Sequence, residues 1–432
     1  MRSMKLATAL ATIALVAAAC SSSATTAPSA APATAAPATA APATAAPATA
    51  APATEAPSAA PATEAPLSGE LTVWNAYGSG GTAEGKAFEQ ILAKFATDYP
   101  GVKINALDVP FSDLYTKFET EAAAGGGPDM YIAPNDSLGK EVRAGLLADT
   151  GDVSGLFVPQ TTQTAINGSQ VDGKYYMVPE SLKAVAMFYN KDKVATPPAT
   201  TDELLAAVKS GIKVGLNQNA YHPWGFWYAF DGQIMDGTGK CVADATAGVS
   251  DAFAYLKALK DAGAEFYTDG AKFQDAFKTG KLDAIIEGPW FSGDAKAAYG
   301  DKLGVAPGPA GPAGSPFQPM TGVDGWYINA ASPNVALAKQ VATILTNQDA
   351  QQIYVDVAGH VPANKNITIA DPIVQGFSDA VGSGYARPQI PQMDNYWGNF
   401  GDALNTVLDK GADPKAAVAS ACAAMNKANN IP

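Results

Sequence analysis

From Ser21 to about Leu67 a proline returns at every fifth residue, at Pro32, Pro37, Pro42, Pro47, Pro52 and Pro57, separated mainly by Ala and Thr. Such a stretch has no side chains able to form a core, and its prolines favour the extended polyproline geometry. At ~3.1 Å per residue it spans ~100 Å or more. Any packed fold must therefore come from the roughly 365 residues that follow, enough for two ordinary domains.

What precedes the repeat explains its use. Arg2 and Lys5 sit among the first five residues without an acid, and Ala7 to Val16 is a run of small apolar residues plus Thr. A basic start, a short apolar core and small residues describe an export signal, too short to span a bilayer as a helix. Ala17-Ala18-Ala19-Cys20 then resembles the lipobox of bacterial lipoproteins, in which the cysteine becomes the acylated first residue. Ala17 stands where leucine is commonest, and the rival reading is ordinary cleavage after an Ala-x-Ala site. The expectation is a lipoprotein signal peptide over 1–19 and a tether over 20–67. Cys20 would then anchor the chain to the extracytoplasmic face of the cell membrane.

The net charge of −13 belongs to the part after the tether, since Arg2, Lys5, Glu55 and Glu64 cancel. An acidic body without a basic run argues against nucleic acid and against an anionic membrane surface. Beyond the tether no apolar stretch approaches the length of a membrane span. Cys241 and Cys422 remain; in an exported protein an even pair points to a bridge, although sequence alone does not place the two in contact.

Strands and helices alternate through the body. Leu71–Trp74, Val102–Val109 and Met130–Ala133 read as strands. A helix after Gly78-Ser79-Gly80-Gly81 carries Phe88, Ile91, Leu92 and Phe95 on one face, and a second starts near Ser112 as N-cap. The pattern returns with strands at Lys213–Leu216, Ala284–Glu287 and Trp326–Asn329 and helices at Val249–Ala262, Ala271–Thr279 and Ala336–Thr346. This is an α/β chain with helices on both faces of a sheet. Gly80 to Lys86 has phosphate-loop spacing, but Ala87 stands where a Ser/Thr hydroxyl would hold Mg²⁺, so the match is a coincidence.

Nine segments occur in a recognisable order. They are Gly127-Pro128-Asp129, Ala144-Gly145-Leu146-Leu147-Ala148, Asp172-Gly173-Lys174 leading to Pro179, Tyr189-Asn190-Lys191-Asp192, and Ala276-Phe277-Lys278-Thr279-Gly280. After them come Glu287-Gly288-Pro289-Trp290, Ile328-Asn329-Ala330-Ala331, Ser332-Pro333-Asn334 and Ile390-Pro391-Gln392-Met393. From about Gly69 to the C-terminus the chain thereby resembles the family-1 extracellular solute-binding proteins of ABC importers, and in particular their maltose/maltodextrin branch. The resemblance implies a two-lobed, type II periplasmic-binding-protein fold, each lobe a sheet flanked by helices, joined by a multi-strand hinge. The lobes would be 68–181 with 323–366 and 182–322 with 367–432. It also implies an oligosaccharide of maltodextrin type as ligand, ABC permease subunits as partners, a monomer, no cofactor and no metal.

A pyranose presents C–H faces and a hydroxyl rim, so its site needs aromatic walls and polar side chains of both hydrogen-bonding roles. By the resemblance, Trp290 and Trp397 match positions that stack on glucose rings, Tyr396 an aromatic subsite, Asp136 a carboxylate that accepts from sugar hydroxyls, and Tyr221-His222 a ligand-touching tyrosine. Trp74, Trp227 and Trp326 are read as core or edge residues instead. The departures are as informative. Ala133 and Ser137 replace a tryptophan and an arginine around Asp136, Lys183 replaces a hinge glutamate, and Glu287 replaces an asparagine. Gly78-Ser79 replaces an acid–lysine pair, with Tyr77 and Glu84 as substitutes. Two readings of Lys183 stay open: a pair with Glu287 at the cleft, or an exposed hinge residue. The resemblance implies that Cys241 and Cys422 share one lobe, where a bridge would tie down the last helix.

Two other functions were weighed against sugar binding. Asp136, Glu180 and Glu287 could form a glycosidase pair, but the sequence has no active-site signature. With only His222 and His360, metal and Ser/His/Asp chemistry are poorly supported. An adhesin or sensor that keeps the fold without feeding a transporter is the other alternative.

Overall fold

A computed structural model describes residues 66–78 and 80–432. The export signal, Cys20 and nearly all of the tether lie outside the described residues, as does Ser79. In chain order the strands are β1 (Gly69–Asn75), β2 (Val102–Asp108), β3 (Met130–Pro134), the short pair β4 (Gln170–Val171) and β5 (Lys174–Tyr175), β6 (Met177–Lys183) and β7 (Ala186–Asn190). There follow β8 (Val214–Asn217), β9 (Glu265–Tyr267), β10 (Ala284–Glu287), β11 (Leu303–Ala306), β12 (Met320–Ile328), β13 (Val361–Pro362) and β14 (Tyr385–Ala386).

Two sheets result, each flanked by helices. The larger has the order β13-β6-β12-β3-β1-β2, with β14 added beside β12; the smaller has the order β11-β7-β10-β8-β9. β1 runs parallel to β2 and β3, whereas β12 runs antiparallel to both β3 and β6. All nine residues of β12 are buried, as expected for a central strand covered on both faces.

Local chemistry sets the helix boundaries. Thr82 caps the helix Ala83–Asp98, its hydroxyl oxygen accepting from the Gly85 amide at 3.0 Å, and Ala87, Phe88, Ile91 and Phe95 form the buried face. The helix Phe111–Ala123 differs from expectation: it begins after Pro110, and Ser112 lies within its first turn without capping it. Proline, with φ preset near the helical value and no amide to satisfy, starts the turn one step earlier. Thr200 and Glu203 close a reciprocal capping box on the helix Thr201–Lys209.

The chain leaves the larger sheet for the smaller after β6, through the buried Ala184 and Val185, and returns between β11 and β12. After β13 it passes into a mainly helical segment that touches the larger sheet again only at β14. The last passage enters the helix Pro372–Ser383, whose Phe377 ring lies 4.9 Å from Phe188 on β7. One apolar cluster runs without interruption from Phe118, Tyr131 and Tyr327 to Phe188, Phe273 and Ile285, so the two sheets share a packed seam. The helices Tyr396–Lys410 and Pro414–Ala428 close the smaller-sheet side against the helix Gly248–Ala262. Cys241 and Cys422 form a disulfide there, with Cα atoms 5.4 Å apart and a sequence separation of 181. Among the described residues no helix is long and apolar enough to cross a membrane.

Candidate functional site

Between the two sheets lies a cavity of about 580 Å³. From the larger-sheet side it is lined by Tyr77, Glu84, Phe111, Asp136, Lys183 and Asp324, and from the smaller-sheet side by Asn219, Tyr221, His222, Gln274, Glu287 and Trp290. Arg387, directly after β14, completes the wall. Strand ends supply most of these groups: Lys183 ends β6, Glu287 ends β10 and Asp136 follows β3.

Seven of the residues expected from sequence are thus brought together: Trp290, Asp136, Lys183, Glu287, Tyr221, His222 and Glu84. Trp290 is half-buried and presents its ring beside Tyr221, the two centroids 6.1 Å apart. Tyr396 is a correction: it is fully buried in the core, accepts from Trp227 Nε1 at 2.9 Å and donates to the Ala220 carbonyl at 2.8 Å. Trp397 is partly buried and is not among the side chains lining the cavity, its ring centroid 5.4 Å from the Arg387 guanidinium. Trp74, Trp227 and Trp326 are buried, as core residues should be.

Neither reading of Lys183 holds, for it is largely buried and does not pair with Glu287. Lys183 Nζ lies 2.6 Å from Asp324 Oδ1 and 5.3 Å from the centre of the Trp290 ring, whereas Glu287 Oε2 lies 3.3 Å from His222 Nε2. The register explains the choice, because Lys183 faces Gly322 across β6 and β12, two residues from Asp324. Asn219 turns the His222 ring: its amide reaches Asn217 Oδ1 at 3.0 Å and His222 Nδ1 at 2.9 Å. Asn219 Oδ1 also lies 3.1 Å from His222 Nδ1, so this side chain holds the ring with Nε2 towards Glu287.

Behind Glu84 lies a buried charge relay. His360 Nε2 is 2.9 Å from Glu84 Oε1, and its Nδ1 is 3.2 Å from both carboxylate oxygens of Glu180 on β6. Tyr354 stacks on the ring at 4.8 Å. Burial alone would lower the imidazole's pKa, but the two carboxylates outweigh it and push it up to about 10. Burial holds the Glu84 carboxyl above its usual range, although His360 pulls it back. The remaining cation, Arg387, pairs with Asp136 and is lowered to about 10 by burial. The two fixed cations of the lining, Lys183 and Arg387, therefore each pair with a carboxylate, Asp324 and Asp136.

The sequence reading missed Arg387 and Asp324. Arg387 had one signal, being one of only three arginines in the chain. Among the described residues no group of three or more His, Cys, Asp or Glu is placed to hold a metal ion.

A family model described as bacterial extracellular solute-binding protein matches residues 90–376. A galactooligosaccharide-binding protein of Bacillus subtilis is 27% identical over 380 residues, covering 81% of this chain and 87% of that protein. A maltotriose-binding protein of Pyrococcus abyssi is 29% identical over 374 residues, covering 81% and 79%. Among solved structures, the maltotriose-binding protein of Thermus thermophilus bound with maltotriose superposes with a TM-score of 0.76 at 27% identity. That match covers 83% of this chain and all of that one. The α/β architecture of two helix-flanked sheets is thus the type II fold of that structure. By a match over most of its folded length, the chain belongs to the bacterial extracellular solute-binding proteins.

Proposed function

We propose that the protein is the carbohydrate-capturing component of an ABC importer. It takes a neutral oligosaccharide of maltodextrin type into the cavity and passes it, chemically unchanged, to permease subunits in the membrane. Residues 68–181 with 323–366 act as one lobe and 182–322 with 367–432 as the other, held to the membrane by an acylated Cys20 and the proline-rich tether.

The observation that carries this reading is an aromatic face combined with a polar rim whose lysine and arginine are already paired with acids. Trp290 and Tyr221 offer apolar surface for a pyranose C–H face, while Asn219 and Gln274 supply both donors and acceptors. A carboxylated or phosphorylated ligand would need a free cation, and Lys183 and Arg387 each already pair with an acid. A neutral, hydroxyl-rich ligand asks for no such charge. The three relatives named above, for maltotriose and galactooligosaccharide, fall in that class.

The three acids that could have formed a glycosidase pair are engaged otherwise. Glu180 is buried against His360, Asp136 is held by Arg387, and Glu287 faces His222. These partners support a binding role over bond cleavage. Thermal-shift screening of the purified full chain tests the reading, because a ligand that binds only the folded state raises Tm by mass action. Maltose, maltotriose, longer dextrins or galactooligosaccharides should raise Tm, and amino acids and sugar phosphates should not. A shift confined to the charged compounds would contradict the proposal.

A further inference from the structure

Arg387 occupies the surface that the sequence reserves for a sugar ring. Its guanidinium carbon lies 5.4 Å from the centre of the Trp397 ring and 5.3 Å from that of Tyr221. Several contacts hold it in place. Its amide donates to the Thr321 carbonyl at 3.1 Å, its Nε contacts Met320 Sδ at 3.2 Å, and its Nη1 pairs with Asp136. Gly322 leaves room beside it, since a Cβ there would meet Arg387 Nη2 at 3.6 Å and Lys183 Cγ at 3.3 Å. The arginine is only 6% exposed and lines the cavity, whereas Trp397 does not reach it.

We propose that Arg387 sets the length of oligosaccharide the cleft accepts, by covering Trp397 and closing the cavity at that end. The inference rests on the reading of the cavity as an oligosaccharide site. A pyranose stacks by laying its C–H face on an open ring face. On Trp397 it would first have to displace a cation that is desolvated, packed against two rings and paired with a carboxylate. A neutral sugar offers that cation no replacement charge. A chain seated on Trp290 therefore runs towards Trp397 and stops at the guanidinium.

The test is calorimetric titration of the full chain and of R387A with maltose, maltotriose, maltotetraose and maltoheptaose. In the unsubstituted protein the affinity should stop rising once the sugar reaches the arginine. In R387A the ratio of longest-sugar to shortest-sugar affinity should increase about tenfold, the order expected when one more ring gains an apolar contact. An unchanged ratio, or an equal loss for every length, would overturn the inference and leave the sugar-site reading intact. If the unsubstituted protein binds none of these sugars, both fall. A second measurement holds even if R387A does not fold. With Arg387 in place, the sugar-induced change in tryptophan fluorescence should vanish in W290F and persist in W397F. Its loss in W397F would show a sugar ring on Trp397 and overturn the inference.

Discussion

Trp290 carries the apolar side of the cleft, and its placement depends on a neighbour without a side chain. A Cβ on Gly288 would lie 2.0 Å from a carbon of the Trp290 ring, so only glycine lets the indole fold back over its own chain. Replacing Trp290 by Ala should cost ~1.5–3 kcal/mol of sugar binding, a ~10- to 100-fold weaker Kd, through loss of that contact surface. The fold should survive, because the ring borders a cavity and is half-buried; titration and a melting curve on the same sample check both halves. Gly288→Ala should weaken binding in the same direction by displacing the ring while Trp290 itself remains. Unchanged affinity in Gly288→Ala would show that the ring's observed position is unimportant. At this scale the sequence was a good guide to residue type and a poorer guide to direction. Tyr396 and Trp397 are consecutive on one helix and their side chains diverge by about 100°, so both could not face the same cavity. The pairing of Lys183 with Asp324 could not be read either. Their strands lie far apart in sequence, and the partner depends on the β6–β12 register.

The elements were largely legible, because their signals are local. Apolar periodicity in Phe88, Ile91 and Phe95 and the Gly125-to-Pro128 break were enough to place helices and strands of the larger sheet near their observed positions. The Ser112 cap failed since Pro110 starts that helix by backbone geometry, which outranks a nearby hydroxyl. What no local signal revealed is the link between elements made by His360, which joins the start of the helix Ala83–Asp98 to β6. This group carries a pH dependence. Its folded pKa, about 10, is above its ordinary value of 6.5, so its contribution to stability is complete below pH ~6.5 and is lost as pH rises towards ~10. Tm should therefore fall across that window, and His360→Gln should flatten the fall while costing ~3–5 kcal/mol at neutral pH by leaving a buried carboxylate unpaired. An equal Tm slope in both proteins would remove the relay from the account. The disulfide acts at the same scale. Replacing Cys241 and Cys422 together by Ser should cost ~2–4 kcal/mol in denaturant unfolding, since it frees a long loop of the unfolded chain. The last helix should be the first to lose protection from hydrogen exchange.

For the whole molecule, the decisive feature is the passage of the chain out of one sheet into the other and back, the two sharing one apolar seam. That topology puts strand ends from distant parts of the sequence around a single cavity. The sequence supplied the segment order behind this architecture, but it could not show that Lys183 and Arg387 would each pair with a carboxylate. That pairing leaves neither cation free for an anionic ligand, which supports the proposed neutral one. The central claim is most directly tested by titrating maltotriose into the full chain in a calorimeter, alongside Trp290→Ala, and analysing the recovered sugar after long incubation. The account predicts saturable one-site binding, weakened at least ~10-fold in the variant, with maltotriose recovered intact. Equal binding by Trp290→Ala, or recovery of shortened sugar, would contradict it.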